Sequence, residues 1–257
     1  MTARMALWAL LLEYDGTPFV GWQRQAQGLS VQQVLEEAAA RLAGAPVGVA
    51  VAGRTDAGVH AAGQVAAVEL PAHLPARQVR DALNYHMKPH PVVVLAAAPV
   101  PAGWHPRFSA LERRYRYRIL DRRARPALLA GRVWHHPAAL DTILMAQAAL
   151  PLLGRHDFTS FRAAACQAAS PIRTLDRLAV TRAGEIVTIE AVARSFLHHQ
   201  VRNLVGTLAL VGCGRWPPER AAEALAARDR SAAGPTAPAA GLTLEAVRYA
   251  EDPFAAG

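Results

Sequence analysis

The sequence has no apolar run long enough to cross a membrane, since none approaches the roughly 20 residues that a spanning helix requires. It has only two cysteines, Cys166 and Cys213, and they lack the spacing of metal ligands. We therefore expect a reduced, cytoplasmic protein without a signal peptide. Hydrophobic residues make up 52% of the chain and charged residues 19%, a balance that indicates a globular protein and not a disordered one.

Lysine is almost absent, because Lys88 is the only one, and arginine carries nearly all of the positive charge. The formal net charge of +8 at pH 7 favours polyanionic partners. Arginine is suited to bidentate contacts with phosphate and to stacking on bases. From composition alone a second interpretation stays open. The abundance of arginine, like that of alanine, would then reflect the base composition of the genome.

Three kinds of site are missing as well. No Gly-x-Gly-x-x-Gly loop follows a strand, which argues against a nucleotide-binding methyltransferase. An aspartic protease needs two Asp-Thr/Ser-Gly loops, whereas Asp56-Ala57-Gly58 departs from that pattern and has no twin. His198 and His199 would point to different sides of a helix, with no cysteine or carboxylate joining them, so we expect no metal site.

The hydrophobic pattern predicts two α/β halves, 1–105 and 106–257, and a mixed or antiparallel sheet with helices on one face. Ser30 and Gln33 form a capping box that opens a helix, and Gly44 ends it. Strands are predicted at 7–14, 47–51, 64–70, 92–97, 113–120, 175–181, 185–192 and 242–249, and helices at 31–43, 77–86, 141–153, 199–211 and after Pro217. Residues 229–238 are predicted to be a polar linker.

The most informative stretch is Gly-Arg-Thr-Asp-Ala-Gly-Val-His at 53–60. Two glycines favour a tight loop with an exposed backbone, in which the carboxylate of Asp56 can reach a ligand. Arg54 precedes this acid closely and His60 follows it. An isolated turn of this kind is usually a surface turn in which the aspartate bonds its own backbone, so the motif needs support from the rest of the chain.

That support comes from a resemblance that covers nearly the whole chain. Residues 53–61 are identical to the active-site motif of the tRNA pseudouridine synthase A family, Gly-Arg-Thr-Asp-Ala-Gly-Val-His-Ala. Further matches to the family occur in the same order at 13–17, 21–25, 30–32, 63–65, 105–108, 113–117, 156–162, 196–199, 201–203, 237–239 and 241–242. Departures lie at Pro106, at Gln200 and at 85–90, outside the expected catalytic set.

The resemblance implies an α+β pseudouridine synthase fold, in which two ferredoxin-like α/β halves share a mixed, largely antiparallel sheet with a central cleft. It implies a homodimer that isomerises uridine to pseudouridine in the anticodon stem-loop of tRNA, at positions 38–40, without a cofactor. By resemblance Asp56 is the catalytic carboxylate. Whether it attacks the base, attacks the sugar or acts by a glycal route stays open.

The resemblance also implies roles for residues beyond Asp56. Arg202, from the Val-Arg-Asn motif, would lie against the catalytic carboxylate, and Tyr115 would stack on the uracil and assist loss of the C5 proton. Leu242 would pack under the base. The other substrate-binding candidates, which flank these motifs, are Arg24, Arg54, Thr55, His60, Arg107, Arg114 and Arg162. The alternative function is a tRNA-binding protein or RNA-folding chaperone without catalysis.

Overall fold

The computed structural model describes residues 4–255, which form ten strands and five α-helices. The chain divides into two compact units: unit 1 is Met1–Glu112 with Leu244–Gly257, and unit 2 is Arg113–Thr243. Residues 1–3 lie outside the described residues. The expectation that the chain has no signal peptide concerns these residues in part. The division into halves at 105/106 stays a prediction, because compactness alone does not identify a folding domain.

Unit 1 is a largely antiparallel sheet with two helices. Its elements are β1 (Met5–Tyr14), α1 (Val31–Ala43), β2 (Val49–Val51), β3 (His60–Pro71), α2 (Ala76–His86), β4 (Val92–Pro99) and, from Leu244 onwards, β10 (Leu242–Tyr249). The strand order is β4-β1-β3-β10, and β2 also pairs with β3. Helix α1 packs against β3, and α2 packs against β4. The apolar side chains of β1, including Trp8, Leu10 and Leu12, are buried.

The predicted caps of α1 are confirmed. Ser30 Oγ accepts a hydrogen bond from the backbone N–H of Gln33 at 3.1 Å, which satisfies one of the free donors of the first turn. Gly44 follows the last turn with a φ of 75°, a left-handed conformation that glycine adopts without steric cost. Both ends of this helix were therefore readable from local sequence.

Unit 2 repeats the combination of sheet and helices. Its elements are β5 (Ala110–Leu120, from Arg113 onwards), β6 (Trp134–His135), α3 (Thr142–Ala149), β7 (Gly154–Asp157), β8 (Ile172–Ala183), β9 (Ile186–Ala193), α4 (Gln200–Gly212) and α5 (Arg220–Ala227). Strands β5, β9, β8 and β7 are antiparallel neighbours in that order, and β6 pairs parallel with the end of β5. Helix α4 is buried around most of its circumference and packs against α3.

The α+β class and the mixed, largely antiparallel strand pairing are thus confirmed. Strands β6 and β7 were not predicted, because two and four residues are too few to show periodicity. The predicted helix 141–153 ends at Ala149 and continues as a short 3-10 turn, Leu150–Leu152, around Pro151. None of the helices within 4–255 is long and apolar enough to span a membrane.

The prediction that 229–238 is a linker was wrong. The N–H of Gly234 donates to Thr207 Oγ1 at 2.9 Å, and the N–H of Ala237 donates to the carbonyl of Arg202 at 3.1 Å. Both acceptors lie on α4, so this segment is fastened along the helix. Its prolines and small residues permit that close approach, which a composition-based linker prediction could not distinguish from flexibility.

Candidate functional site

Asp56 lies in the loop that joins β2 to β3 in unit 1. The side chain of Asp56 is half-buried, and Arg54 is exposed. A turn closes over Asp56, because the N–H of Val59 donates to its carbonyl at 3.1 Å and Gly58 has a φ of 76°. The loop therefore presents a carboxylate at the surface of the unit, with a cation two positions before it in sequence, as the motif predicted.

A buried hydrogen-bond cluster lies beneath this loop. The hydroxyl of Tyr14 is 2.8 Å from Thr55 Oγ1, and Gln64 Nε2 donates to the Tyr14 hydroxyl at 3.3 Å and to the carbonyl of Gly53 at 2.7 Å. Burial raises the pKa of Tyr14 to about 12, so its hydroxyl is protonated at neutral pH. The cluster fixes Gly53 and Thr55, three positions and one position before Asp56, to strands β3 and β1.

The segment 16–22 supports the loop from a second side. The N–H of Trp22 donates to the carbonyl of Thr55 at 2.9 Å, and Gly21, with a φ of 106°, leaves no room for a side chain. A Cβ at Gly21 would stand 2.8 Å from the carbonyl oxygen of Thr55 and 3.1 Å from the N of Ala57. Close packing of backbone on backbone thus restrains the loop around Asp56.

His60 is buried at the start of β3, and its side chain contacts the backbone of Gly16. The N–H of Gly16 donates to His60 Nδ1 at 3.1 Å. Asp15 Oδ1 also lies 3.1 Å from this nitrogen. In unit 1, His60 therefore helps to hold segment 16–22 against the loop.

The sequence interpretation quoted Tyr14 and Gln64 within family motifs but assigned them no role. A signal for Gln64 was present, because the other residues of β3 from 61 to 68 are small or apolar. A buried amide requires hydrogen-bond partners, which predicts a fixed polar contact at that position. The partners themselves, Tyr14 and Gly53, become identifiable only from the strand pairing of β1 with β3.

Tyr115 lies on β5 in unit 2 and is 8% exposed. Its ring meets that of Phe196 edge to face, with centroids 5.2 Å apart and an interplanar angle of 88°. Tyr117, two residues on, is fully buried, as expected of a core residue, and its hydroxyl donates to the carbonyl of Pro238 at 2.7 Å. The two tyrosines share one face of the strand but differ in surroundings.

Arg202 lies in the first turn of α4 and is half-buried. Its Nε donates to the carbonyl of Ala237 at 2.7 Å, and the Ala237 N–H donates back to the Arg202 carbonyl. The helix begins after His199, whose φ of 62° is unusual for a residue with a side chain. Gln200 is buried, and its Oε1 accepts from the N–H of Leu197 at 2.8 Å, which stabilises this turn.

Asn203 anchors the neighbourhood of Arg202, a role that the sequence interpretation missed. Its side chain is fully buried, donates to the carbonyl of Phe161 at 2.8 Å and accepts from Thr236 Oγ1 at 2.7 Å and from Arg230 Nη2 at 3.1 Å. The same residue thus joins α4 to the segment before β10 and to the turn that ends at Phe161. An asparagine within an apolar helix was the available signal.

The remaining predicted residues are distributed over both units. Arg24, in unit 1, is half-exposed, and its Nη1 donates to Glu36 Oε2 of α1 at 3.1 Å, so part of its charge is already neutralised. Arg107, also in unit 1, is exposed and lies 5.8 Å from the centroid of the exposed Phe108 ring. In unit 2, Arg114 and Arg162 are half-buried, and Leu242 is buried at the first position of β10.

Unit 1 therefore presents a restrained carboxylate, and unit 2 presents an aromatic ring and a fastened arginine. A carboxylate can act as a nucleophile or stabilise a cationic sugar, and an aromatic ring can stack on a base. Most of the arginines named above are at least partly accessible to solvent, which suits contacts with a phosphate backbone.

Comparison with known proteins supplies the context for these features. The profile of the family described as tRNA pseudouridine synthase matches residues 11–109 and 148–250. A tRNA pseudouridine synthase A from Acidiphilium cryptum is 71% identical over 252 residues, which cover 97% of this chain and 99% of the relative. Proteins of the same name from Rhodospirillum centenum and Paramagnetospirillum magneticum are 62% and 61% identical over 245 residues, covering 95% of this chain and 100% and 96% of the relatives. On these matches, which extend along most of both units, the chain belongs to the tRNA pseudouridine synthase family.

Proposed function

We propose that this protein is a tRNA pseudouridine synthase, an isomerase that converts uridine to pseudouridine in the anticodon stem-loop of tRNA without a cofactor. The observation that carries the proposal is the loop at 53–60, in which Asp56 stands on a backbone held by Tyr14, Gln64 and Trp22. Family membership over most of the chain supports the same reaction. A protein that only binds RNA would have no need for a carboxylate on so firmly held a loop.

The reaction is balanced within the substrate. The bond between N1 of uracil and C1′ of ribose breaks, the base turns, C5 bonds to C1′, and the proton lost from C5 is compensated by one gained at N1. A carboxylate is needed to form an adduct or to stabilise the cationic sugar, and we assign that role to Asp56. The reaction neither consumes nor produces a redox equivalent, so the proposal includes no cofactor and no metal.

The other residues would act on the base and on the charge of the carboxylate. We assign stacking on the target uracil, and assistance in loss of the C5 proton, to Tyr115, with Leu242 packing under the base. Arg202 would favour the ionised form of the catalytic carboxylate, because a nearby cation lowers a carboxyl pKa. The contact of its Nε with Ala237 would leave the guanidinium oriented by the protein.

Arginines would bind the RNA backbone, and buried contacts within unit 1 would hold the loop at 53–60 in place. Arg24, Arg54, Arg107, Arg114 and Arg162 are the proposed phosphate ligands. Thr55 and His60 would contribute to substrate binding by holding the loop, since their side chains bond Tyr14 and Gly16. A homodimer and a cytoplasmic location are part of the proposal, supported by the resemblance and by the two free cysteines.

The test is release of tritium from tRNA transcripts that carry 5-³H-uridine, followed by mapping of the modified positions. Isomerisation at C5 must expel the label, so the native protein should release it in proportion to the pseudouridine formed at the 3′ side of the anticodon stem-loop. Tight binding to a range of unmodified tRNAs with no release would instead support a tRNA-binding protein or chaperone. Tritium release with pseudouridine formed elsewhere in the tRNA would overturn the proposed anticodon stem-loop specificity but not the proposed reaction.

The hydroxyl of Tyr14 provides a prediction about loop positioning. Tyr14→Phe removes the group that joins Thr55 to Gln64, and we expect the free energy of unfolding to fall by about 1–2 kcal/mol and kcat to fall roughly tenfold. Thermal melting and steady-state tritium release at saturating tRNA measure the two effects. Tyr85→Phe, at a site that is 70% exposed, is the matched control and should change neither. An unchanged kcat in Tyr14→Phe would show that the cluster does not control the loop.

A further inference from the structure

Arg230 directs both terminal nitrogens of its guanidinium into unit 2. Nη1 donates to the carbonyl of Gly234 at 2.9 Å and lies 3.4 Å from that of Ala233. Nη2 donates to Asn203 Oδ1 and to Thr236 Oγ1, at 3.1 Å in each case. The residue is half-buried, and the sequence interpretation gave it no role. A planar fork of donors can hold several acceptors in one geometry, which the point charge of a lysine cannot.

The backbone that carries this guanidinium is anchored as well. Arg230 begins a short 3-10 turn, Arg230–Ala232, which Asp229 caps by accepting from the N–H of Ser231 at 2.9 Å. The N–H of Asp229 in turn donates to the hydroxyl of Ser160 at 2.9 Å, and Ser160 is fully buried. The guanidinium therefore reaches its acceptors from a fixed point of the chain.

The segment 233–237, which the guanidinium holds, lies against helix α4 with no space between the two backbones. A Cβ at Gly234 would stand 2.8 Å from the Cα of Thr207. A Cβ at Gly206 would overlap the carbonyl of Pro235. Because both approaches are backbone to backbone, the path of this segment along α4 cannot shift without moving the helix or the segment as a whole.

The segment ends on Arg202, in the first turn of α4. The N–H of Ala237 donates to the Arg202 carbonyl at 3.1 Å, and the Ala237 carbonyl accepts from Arg202 Nε at 2.7 Å. Thr236 precedes Ala237, Asn203 follows Arg202, and the Thr236 hydroxyl donates to Asn203 Oδ1 at 2.7 Å. Arg230 therefore bonds the immediate neighbours of both partners in the contact that fastens Arg202.

We infer that Arg230 is a positioning residue for the isomerisation, because it joins Asn203 to Thr236 and thereby orients the guanidinium of Arg202. The inference rests on the proposed function, in which Arg202 acts beside the catalytic carboxylate. It gives Arg230 a role inside the protein and not on the RNA. A contact with phosphate would require the same terminal nitrogens that Asn203, Thr236 and Gly234 engage, and it is one outcome of the test.

The first test is Arg230→Ala, assayed by tritium release from tRNA across a range of salt concentrations. We expect kcat to fall about a hundredfold through misplacement of Arg202, while KM and the slope of log affinity against log salt stay as in the native protein. Guanidinium chloride below denaturing concentrations should restore kcat at least about fivefold, because the free ion offers the same fork of donors, and sodium chloride at equal ionic strength should not.

Two further arginine variants separate the fork from the charge. Arg230→Lys keeps the charge but should remain slow, because a single ammonium group cannot reach the same set of acceptors. The matched control is Arg220→Ala on α5, which removes the same charge from the same unit at a partly exposed pair with Glu223. It should leave kcat, KM and the salt slope unchanged and should not respond to guanidinium.

Thr236→Val keeps the inference testable if Arg230→Ala does not fold. It removes only the hydroxyl that lies between Arg230 and Asn203. We expect it to lower the melting temperature by only about 2–4 °C and kcat roughly tenfold, with KM unchanged. Guanidinium should not restore this variant, because its own guanidinium is still present.

Hydrogen exchange of the Arg202 side chain reports its position without reference to activity. In ¹⁵N spectra the Nε–H of Arg202 should exchange slowly in the native protein and faster in Arg230→Ala and Thr236→Val, since its bond to Ala237 is loosened. Native kcat in both variants would overturn the inference. So would a raised KM and a shallower salt slope at unchanged kcat, the result expected of a phosphate ligand. Failure of the native protein to release tritium would refute the proposed function instead, whereas the Nε–H exchange would still test the positioning.

Discussion

The Asp56→Asn variant is expected to form no measurable pseudouridine while still binding tRNA. Asparagine has nearly the same shape, and the contacts that hold the loop come from the backbone of Thr55 and Gly53 and from the side chains of Tyr14 and Gln64. An amide is not a nucleophile and carries no charge to stabilise a cationic sugar. We therefore expect the rate of tritium release to fall about ten-thousandfold or more.

The matched control for this substitution is Asp81→Asn, an exposed carboxylate on α2 that pairs with Arg77 and Arg80. It removes the same charge from the same unit and should leave the rate within about twofold of native, since exposed pairs contribute little. Filter binding at fixed salt measures whether both variants keep their affinity for tRNA. Equal tritium release by Asp56→Asn and the native protein would remove this carboxylate from the mechanism.

The second large effect is expected on stability, from the ion pair of Asp121 and Arg182 in unit 2. Arg182 Nη1 and Nη2 donate to the two carboxylate oxygens at 2.9 and 2.6 Å, and the N–H of Leu140 donates to Asp121 Oδ2 at 3.0 Å. The Asp121 side chain is 1% exposed, whereas that of Arg182 is 33% exposed. The Arg182 Nη2 also donates to the carbonyl of Leu140, so the pair joins the end of β5 to β8 and to the approach to α3.

We expect Asp121→Ala to lower the free energy of unfolding by about 3–5 kcal/mol, because it leaves a partly buried guanidinium and a backbone N–H without their acceptor. Urea denaturation followed by circular dichroism measures this value. The control is Glu223→Ala in the exposed pair with Arg220 on α5, for which the loss should stay below about 1 kcal/mol. A similar loss of unfolding free energy in both variants would show that the buried pair stabilises the protein no more than an exposed pair does.

The same carboxylate should contribute to the pH dependence of stability. Burial alone would raise the pKa of Asp121, but hydrogen bonds from Arg182 and from the N–H of Leu140 outweigh it, and the pKa lies below its ordinary value. The stabilisation is therefore complete above the pKa of this carboxyl in the unfolded chain, about 4, and is lost as the pH falls through the lower pKa of the folded state. Asp121→Asn should show a shallower decline in stability over that acidic range.

Local features of this protein could be read from its sequence because their physical causes are local. The cap at Ser30, the stop at Gly44 and the alternation of Arg114 and Tyr115 along β5 depend on side chains within a few positions of one another. The loop around Asp56 was also evident, since its glycines and its charged residues are contiguous. The family followed from the order of such motifs along the chain, and the comparisons confirm it.

Features that depend on partners distant in sequence were decided by the tertiary structure. Tyr14 reaches Thr55 across 41 positions, Arg182 reaches Asp121 across 61, and Asn203 reaches Phe161 across 42. For Asn203 a polar side chain in an apolar helix signalled that a partner was required, but in all three cases the pairing of strands and helices selected which partner. The fastening of 229–238 along α4 belongs to the same class. The sequence by itself determined which chemical groups this protein carries and in what local conformations. Only the packing of remote segments decided which of those groups are held rigid, because a hydrogen bond in the interior depends on contacts that no local pattern encodes.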